Sequence, residues 1–235
     1  MNNREPAIIK EMFNVISPRY DFLNHLLSLG VDKSWRRAAA SALYDSKNNS
    51  IYLDICTGTG DLAFAVHRAN KGRVVGTDFA VDMLRIASQK CIRRDTNGAI
   101  SFSAADSLQL PFKDNVFDGV TVAFGIRNTA SLLVCLDEMA RVTKHNGRII
   151  VLDFGIPQVN MINKIYLSYF NYVVPLVGRF LSRSNISAYS YLPVSVSKFP
   201  PPDEFCNLMS RVGLINVKAC SLTFGIAILY SGVKA

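Results

Sequence analysis

The chain has 235 residues, 49% of them hydrophobic, with 26 Lys and Arg against 18 Asp and Glu for a formal net charge of +8. That apolar content is ample for the core of one α/β domain with additions, and no internal repeat or low-complexity tract competes with that reading. The basic residues are dispersed, Arg36-Arg37 and Arg93-Arg94 being the densest pairs, which argues against nucleic acid and leaves anionic lipid headgroups as a charge-matched surface.

Ahead of the first strand, Phe13, Ile16, Tyr20, Leu23 and Leu27 recur at spacings of three and four, a helical stripe that Ser17-Pro18 breaks in two. The polar groups of Tyr20-Asp21 and Asn24, with the single tryptophan Trp35 beyond Gly30, place this arm over the mouth of a crevice rather than under a sheet. Residues 51–55 read as a buried strand, followed by the glycine turn Gly58-Thr59-Gly60 and a helix over 61–70. A second strand ends at Asp78 and a helix opens near Ala80; a third starts at Ile100, with Asp106 beyond its end. A fourth strand over 117–124 runs into Gly125-Ile-Arg-Asn128, and a helix over 131–143 and a strand over 148–154 follow. Strands alternating with helices at this spacing predict an α/β fold with a doubly wound, mainly parallel sheet.

Residues 161–181 are rich in aromatic and branched side chains, with Ile162, Ile165, Tyr169, Tyr172, Leu176 and Phe180 near one helical face. The uncharged part, 165–178, is too short to span a bilayer and contains Asn171 and Pro175, so the stretch reads as a lid, an interfacial surface, or a buried packing or homodimer face. A helix over 203–212 and two strands over 214–220 and 224–233, close enough to pair as a hairpin, complete the chain. The expected organisation is one domain over 1–235: a helical arm (1–45), a cofactor-binding core (50–155), a lid or substrate region (156–200) and a terminal helix and hairpin (201–235). Five scattered cysteines without C-x-x-C, and no basic segment leading into an apolar one at the N-terminus, point to reduced thiols and a cytoplasmic protein.

The strand, glycine turn and helix at 51–61 leave free N–H groups at a helix N-terminus facing the carboxyl ends of the strands, where open parallel sheets bind ligands. Gly58-Thr-Gly60-Asp-Leu-Ala63 fits G-x-G-x-x-A, so a dinucleotide is formally allowed. Asp54 and Asp61, however, put carboxylates where two phosphates would sit, and like charges at that range repel. S-adenosylmethionine, with its cationic amino acid end and sulfonium, is attracted by the same carboxylates. Asp61 also fits as an acid at a helix N-terminus, while Asp54, on an otherwise apolar strand, must be paired. Asp78, at a strand end one crossover away, suits acceptance from two ribose hydroxyls.

Asp54-x-Cys-x-Gly-Thr-Gly60, Asp78, Asp106, and Leu110-Pro-Phe followed by Phe117-Asp118, resemble the successive landmarks of class I S-adenosylmethionine-dependent methyltransferases. Tyr20-Asp-Phe-Leu-Asn24 with Ser28 and Trp35, Phe124-Gly-Ile-Arg-Asn128, Arg141-Val-x-Lys144 and Tyr189-Ser-Tyr-Leu192 resemble, more narrowly, the UbiE/MenG/Coq5 family. The resemblance implies C-methylation of a prenylated quinol, demethylmenaquinol first and a benzoquinol precursor of ubiquinone as the alternative. It implies cofactor contacts at Thr59, Asp78, Asp106 and Ser107, beside Asp54, Gly58 and Gly60 of the turn, and it puts Tyr20, Arg127 and Asn128 near the quinol as the catalytic set. The chain departs from the family pattern at Asp32 (usually His), Ala123 (Ser), His145-Asn-Gly147 (Pro-Gly-Gly), Asp153 (Glu) and Gly155 (Ser).

Methylating an aromatic carbon needs an electron-rich ring, which a hydroquinone supplies once a hydroxyl proton is lost. The protein then has to position the reactants, exclude water and assist proton removal. Arg127, expected at the crevice rim, would favour the quinol anion and orient a water that takes the proton, being itself too basic to do so. Its competing reading is a salt bridge to Asp137 or Glu138 on the next helix. No metal is required, and His25, His67 and His145 form no ligand set. A tailed substrate implies a membrane-peripheral enzyme. The alternatives that stay open are methylation of another small molecule or of RNA, a scaffold that has lost catalysis, and a nicotinamide oxidoreductase.

Overall fold

A strand covered on both faces needs apolar side chains at nearly every position, and the runs around Leu53, Val120 and Ile150 supply them. The computed structural model describes residues 14, 17, 20–43, 49–94, 96, 98–157, 168–169 and 194–235. Among these, the helices are α1 (Tyr20–Leu27), α2 (Asp32–Ala42), α3 (Asp61–Asn70), α4 (Val81–Arg94), α5 (Leu132–Val142) and α6 (Pro202–Arg211). The strands are β1 (Ile51–Ile55), β2 (Arg73–Asp78), β3 (Ile100–Ala104), β4 (Phe117–Ala123), β5 (Thr143–Phe154), β6 (Leu214–Leu222) and β7 (Ala227–Lys234).

The seven strands lie in the order β3-β2-β1-β4-β5-β7-β6. Pairing is parallel from β3 through β5, and β7 runs antiparallel to both β5 and β6. The order reverses between β1 and β4, which makes the carboxyl ends of those two strands the switch point where a crevice opens. Along β5 the period-two alternation is explicit. Ile149 and Val151 face a cluster with Leu136 and Met139 of α5 and Phe205 and Met209 of α6, whereas Ile150 and Leu152 face Trp35, Ala39 and Ala40 of α2.

This second layer corrects the expectation for the arm. Of the arm's described residues, Tyr20 of α1 lines the crevice, whereas α2 packs under the sheet, because Trp35, Ala39, Ala40 and Leu43 form a buried stripe at helical spacing. Two strand boundaries also move. β5 starts at Thr143, ahead of the expected 148, with a register break opposite Phe117 and Gly119 that lets Asn146 adopt φ 62°. Phe224 leaves the last strand with φ 58° in a short 3-10 turn, so β7 begins at Ala227. The two final strands pair as the expected hairpin. Of the apolar stretch 161–181, only residues 168 and 169 are described, so its reading as a lid lies outside the described residues.

The terminal unit is fastened by aromatic packing: Phe205 of α6 lies 4.9 Å from Phe199 and 4.6 Å from Tyr230 of β7, ring centroid to centroid. Phe205→Ala is expected to lower the unfolding free energy by about 3–5 kcal/mol with an unchanged urea m-value. Equilibrium urea denaturation checks this, and a loss below 1 kcal/mol would mean that α6 is not part of the cooperative core.

Candidate cofactor and substrate crevice

The crevice is built from the ends of strands that stop abruptly. Cys56 after β1 and Phe124 after β4 both take left-handed backbone conformations, φ 49° and 58°. Each costs about 1–3 kcal/mol in a non-glycine residue, and such strain concentrates at functional sites. Gly125 follows because a Cβ there would stand 2.3 Å from the Cβ of Cys56. Phe124 is then wedged beside Trp35 and Phe154, at centroid distances of 6.1 and 4.6 Å.

Beneath the turn lies Asp54, only 1% exposed. It accepts hydrogen bonds from the hydroxyls of Thr57 (2.6 Å) and Thr121 (2.9 Å), the latter its register partner on β4. Burial pushes its pKa up to about 7 against the help of these donors. Asp54 braces the turn from below and is not among the residues lining the crevice. The turn is closed by Gly60 N–H to Thr57 O at 2.9 Å and opens α3 with Gly60 at φ 86°. A side chain at Gly60 would meet the ring of Phe102 at 2.8 Å, so the glycine serves close packing as well as the turn.

Asp78 ends β2 beside this turn. Its carboxylate accepts from the N–H groups of Gly58 (2.8 Å) and Ala80 (2.9 Å), while burial raises its pKa. Asp78, Gly58, Asp106, Ser107, Asn128 and Tyr20 all line one crevice enclosing about 920 Å³, part of it open to solvent. Sequence reasoning missed the apolar part of that lining, chiefly Phe79, Met83, Leu108 and Phe124. The available signal was position: Phe79 directly follows the acid at a strand end, and Phe124 precedes the glycine of the β4 exit.

Tyr20 is carried there by an ionic clamp. Lys90 Nζ on α4 contacts Asp21 at 2.6 Å, Asp61 at 2.9 Å and the Thr59 hydroxyl at 3.0 Å, and Thr59 donates to Asp21. His25 continues the chain, 3.5 Å from Asp61 and 2.7 Å from Asp32, which also accepts from Ser28 (2.6 Å) and pairs with Arg36. Burial opposes the charges of Asp32 and Asp61. For Asp32 the Ser28 hydroxyl, Arg36 and His25 outweigh it, and for Asp61 Lys90 and Arg36 do, so both carboxyls lie below their ordinary pKa. Thr59 and Asp61 are thus clamp residues outside the crevice lining. The departure at Asp32 is accounted for by the same network.

Arg127 is not at the crevice rim where the sequence reading expects it. It lies in the 3-10 turn after β4 but points inward, 8% exposed, with Nη1 donating at 2.6 Å to both the Phe124 carbonyl and Asp153 of β5. Neither Asp137 nor Glu138 is its partner; Glu138 bonds Arg141 and the Leu110 N–H. Asn128, next in the chain, does line the crevice, and its buried Oδ1 has no hydrogen-bond partner among the described residues.

A parallel sheet with this strand order and a crevice at the β1 and β4 ends, walled by an acid at the end of β2, has the fold of class I methyltransferases. Phosphoethanolamine N-methyltransferase 2 of Haemonchus contortus, solved in complex with S-adenosyl-L-methionine, shares it with a TM-score of 0.64 at 12% identity, over 86% of this chain and 52% of that one. The description of the ubiE/COQ5 methyltransferase family matches residues 1–234, and the chain belongs to that family. It is 42% identical over 228 residues to the ubiquinone/menaquinone biosynthesis C-methyltransferase UbiE of Geotalea daltonii, covering 96% of both chains. It is 44% identical over 222 residues to the demethylmenaquinone methyltransferase of Thermus thermophilus, covering 94% of this chain and 99% of that one.

Replacing Lys90 by Met keeps the stem but leaves two carboxylates without their shared cation. Freed of the clamp, α1 should release S-adenosylmethionine about tenfold faster, as stopped-flow dissociation would show. An unchanged off-rate would mean that the clamp does not govern closure.

A pH dependence follows from Asp54. Its carboxyl has an ordinary pKa of 3.8 and a folded one of about 7, so between these values the native state holds a proton that the unfolded chain has lost. Its contribution to stability is therefore present at low pH, falls as pH rises through that window and is constant above it. Compared with Asp54→Asn, the wild type should lose stability from about pH 4 to about pH 7 in parallel urea titrations. A pH-independent difference would contradict the assignment.

Proposed function

We propose that the chain is an S-adenosylmethionine-dependent C-methyltransferase acting on the ring of a prenylated quinol, demethylmenaquinol in particular, at a membrane surface. The observation that carries the substrate reading is the buried amide oxygen of Asn128 in the crevice wall, which has no partner among the described residues. Leaving such an acceptor unpaired costs about 1–3 kcal/mol, and a phenolic O–H is the donor that removes this cost. Tyr20, in the same wall, is raised in pKa by burial despite the nearby Arg127 and Arg36 charges, so it stays neutral and can donate to a ring oxygen. The relatives named above, a ubiquinone/menaquinone biosynthesis C-methyltransferase and a demethylmenaquinone methyltransferase, support the same substrate class.

The residues present fit the cofactor. Asp78 retains lone pairs for ribose hydroxyls beyond its two backbone bonds, Gly58 leaves room for close approach, and Asp106 and Ser107 offer polar contacts beside the apolar surfaces of Phe79, Met83 and Leu108. When bound, S-adenosylmethionine supplies an electrophilic methyl group on a sulfonium that leaves as a neutral thioether.

The chain's own part is positional. Asn128 accepts from a quinol hydroxyl and Tyr20 donates to a ring oxygen, which orients the ring carbon toward the cofactor side of the crevice. Loss of a hydroxyl proton places negative charge on the ring; a second proton leaves the methylated carbon when aromaticity returns. Arg127 acts as a positioning residue: its charge is matched by Asp153, and through the Phe124 carbonyl it fixes the strained strand exit that carries Asn128.

Incubation with S-adenosylmethionine and chemically reduced demethylmenaquinone should yield a product one methyl heavier, detected by mass spectrometry. Absence of methylation on both this substrate and a benzoquinol precursor would overturn the reading; a benzoquinol product alone would shift it to the ubiquinone substrate. Asn128→Ala should lower turnover by about tenfold to a hundredfold with S-adenosylmethionine affinity kept. Arg127→Lys retains the charge but not the planar donor fork, and it should reduce kcat by about tenfold with an unchanged cofactor Kd. Equal losses of cofactor binding and turnover would instead mark Arg127 as a purely structural ion pair.

A further inference from the structure

The helix that carries Tyr20 into the crevice has a second face that the methyl-transfer reading does not use. Phe22, Leu26 and Leu29 are 62%, 44% and 86% exposed. Phe22 and Leu26 lie one turn apart on the side of α1 away from Tyr20, and Leu29 follows at the helix end.

Leu29 is the most informative of the three. The Gly30 N–H bonds the His25 carbonyl at 2.7 Å and the Leu29 N–H bonds the Leu26 carbonyl at 3.1 Å, the paired bonds of a Schellman motif. This puts Leu29 at the position after the helix cap, with φ 51°, where glycine is favoured because it has no Cβ. A leucine there is strained and solvated at once, so it does not serve the stability of the turn.

The chain just beyond this stripe carries exposed cations, Lys33 following Leu29 by four residues. Lys33 and Arg37, one turn apart on α2, are exposed. The two acids of residues 20–43, Asp21 and Asp32, are engaged by Lys90 and by Arg36 with His25. At the same end of α1 the Tyr169 hydroxyl donates to the Leu27 carbonyl at 2.6 Å.

We propose that the outward face of α1, Phe22, Leu26 and Leu29 with Lys33 and Arg37 beside it, docks on an anionic lipid bilayer. Apolar side chains enter the headgroup boundary while the two cations pair with lipid phosphates, the pattern of an interfacial helix. This rests on the prenylated-substrate reading for its purpose. One helix about 12 Å long and about 10 Å thick then separates the lipid from the crevice, so a ring can reach Asn128 while its tail stays in the bilayer.

The test is flotation of the full chain with vesicles of phosphatidylglycerol and phosphatidylcholine, or of phosphatidylcholine alone. Wild type should bind the anionic vesicles preferentially, less so at high salt. Lys33→Glu with Arg37→Glu should lower that binding by about tenfold or more. Leu29→Gly relieves the backbone strain, so it should keep or raise Tm while weakening vesicle binding; Leu26→Ser combined with it should weaken binding further. Binding that is absent, indifferent to lipid charge, or unchanged in the variants would overturn the proposal. Concentration-dependent self-association that Leu29→Gly abolishes, without vesicle binding, would assign the face to a second copy and overturn it equally. Turnover of a tail-less quinol separates the two readings. Turnover without vesicle binding removes the docking face alone, whereas vesicle binding without turnover of any quinol supports docking and removes the substrate reading.

Discussion

One ammonium group holds the crevice together. Lys90 Nζ reaches a carboxylate on the arm, a carboxylate at the start of α3 and a hydroxyl of the glycine turn, three elements that local structure leaves unconnected. Two carboxylates sharing a site repel, and a half-buried cation between them converts that repulsion into a fixed geometry. Everything said of Tyr20 depends on it, because Tyr20 adjoins Asp21 and follows wherever Asp21 is pinned. The link from Asp61 through His25 to Asp32 and Arg36 extends the same constraint to α2, which is anchored in turn by the packing of Trp35.

Opposite this clamp, the crevice floor is held by strain and burial. Cys56 and Phe124 leave their strands in left-handed conformations, and Gly125 permits the two chain turns to touch. The Arg127–Asp153 pair fastens the β4 exit to β5 from below. Gly155, where the family pattern has Ser, is explained by crowding: a Cβ there would come within 2.6 Å of the Gly225 carbonyl oxygen. Departures from a family pattern at Asp32, Asp153 and Gly155 are thus parts of local networks in this chain.

The arm joins these two halves to the outside. Its inner side supplies Tyr20 to the crevice and its outer side shows large apolar residues to solvent, so the proposed substrate contact and the proposed docking share the same eight-residue helix. No helix among the described residues is long and apolar enough to cross a membrane. In the proposed docking, α1 is the helix that stands between the lipid and the crevice.

The sequence by itself determined what is periodic or local. Alternating apolar runs fixed the strands, glycines and acids at strand ends marked the turn and the Asp78 position, and the spacing of strands and helices dictated a doubly wound sheet. Gly58 and Asp78 were legible for that reason, whereas the roles of Asp106, Ser107, Asn128 and Tyr20 came from the family resemblance; all six line one crevice. Only the tertiary structure decided which charged groups face a ligand and which face each other. Asp54, Asp61 and Arg127 read as ligand-facing charges along the chain, yet each is matched by a partner remote in sequence: Thr121, Lys90 and Asp153. A charge buried in a fold must be neutralised or hydrogen-bonded wherever the packing brings a partner, and that partner is chosen by how the layers close over the sheet, a three-dimensional fact that no local pattern encodes.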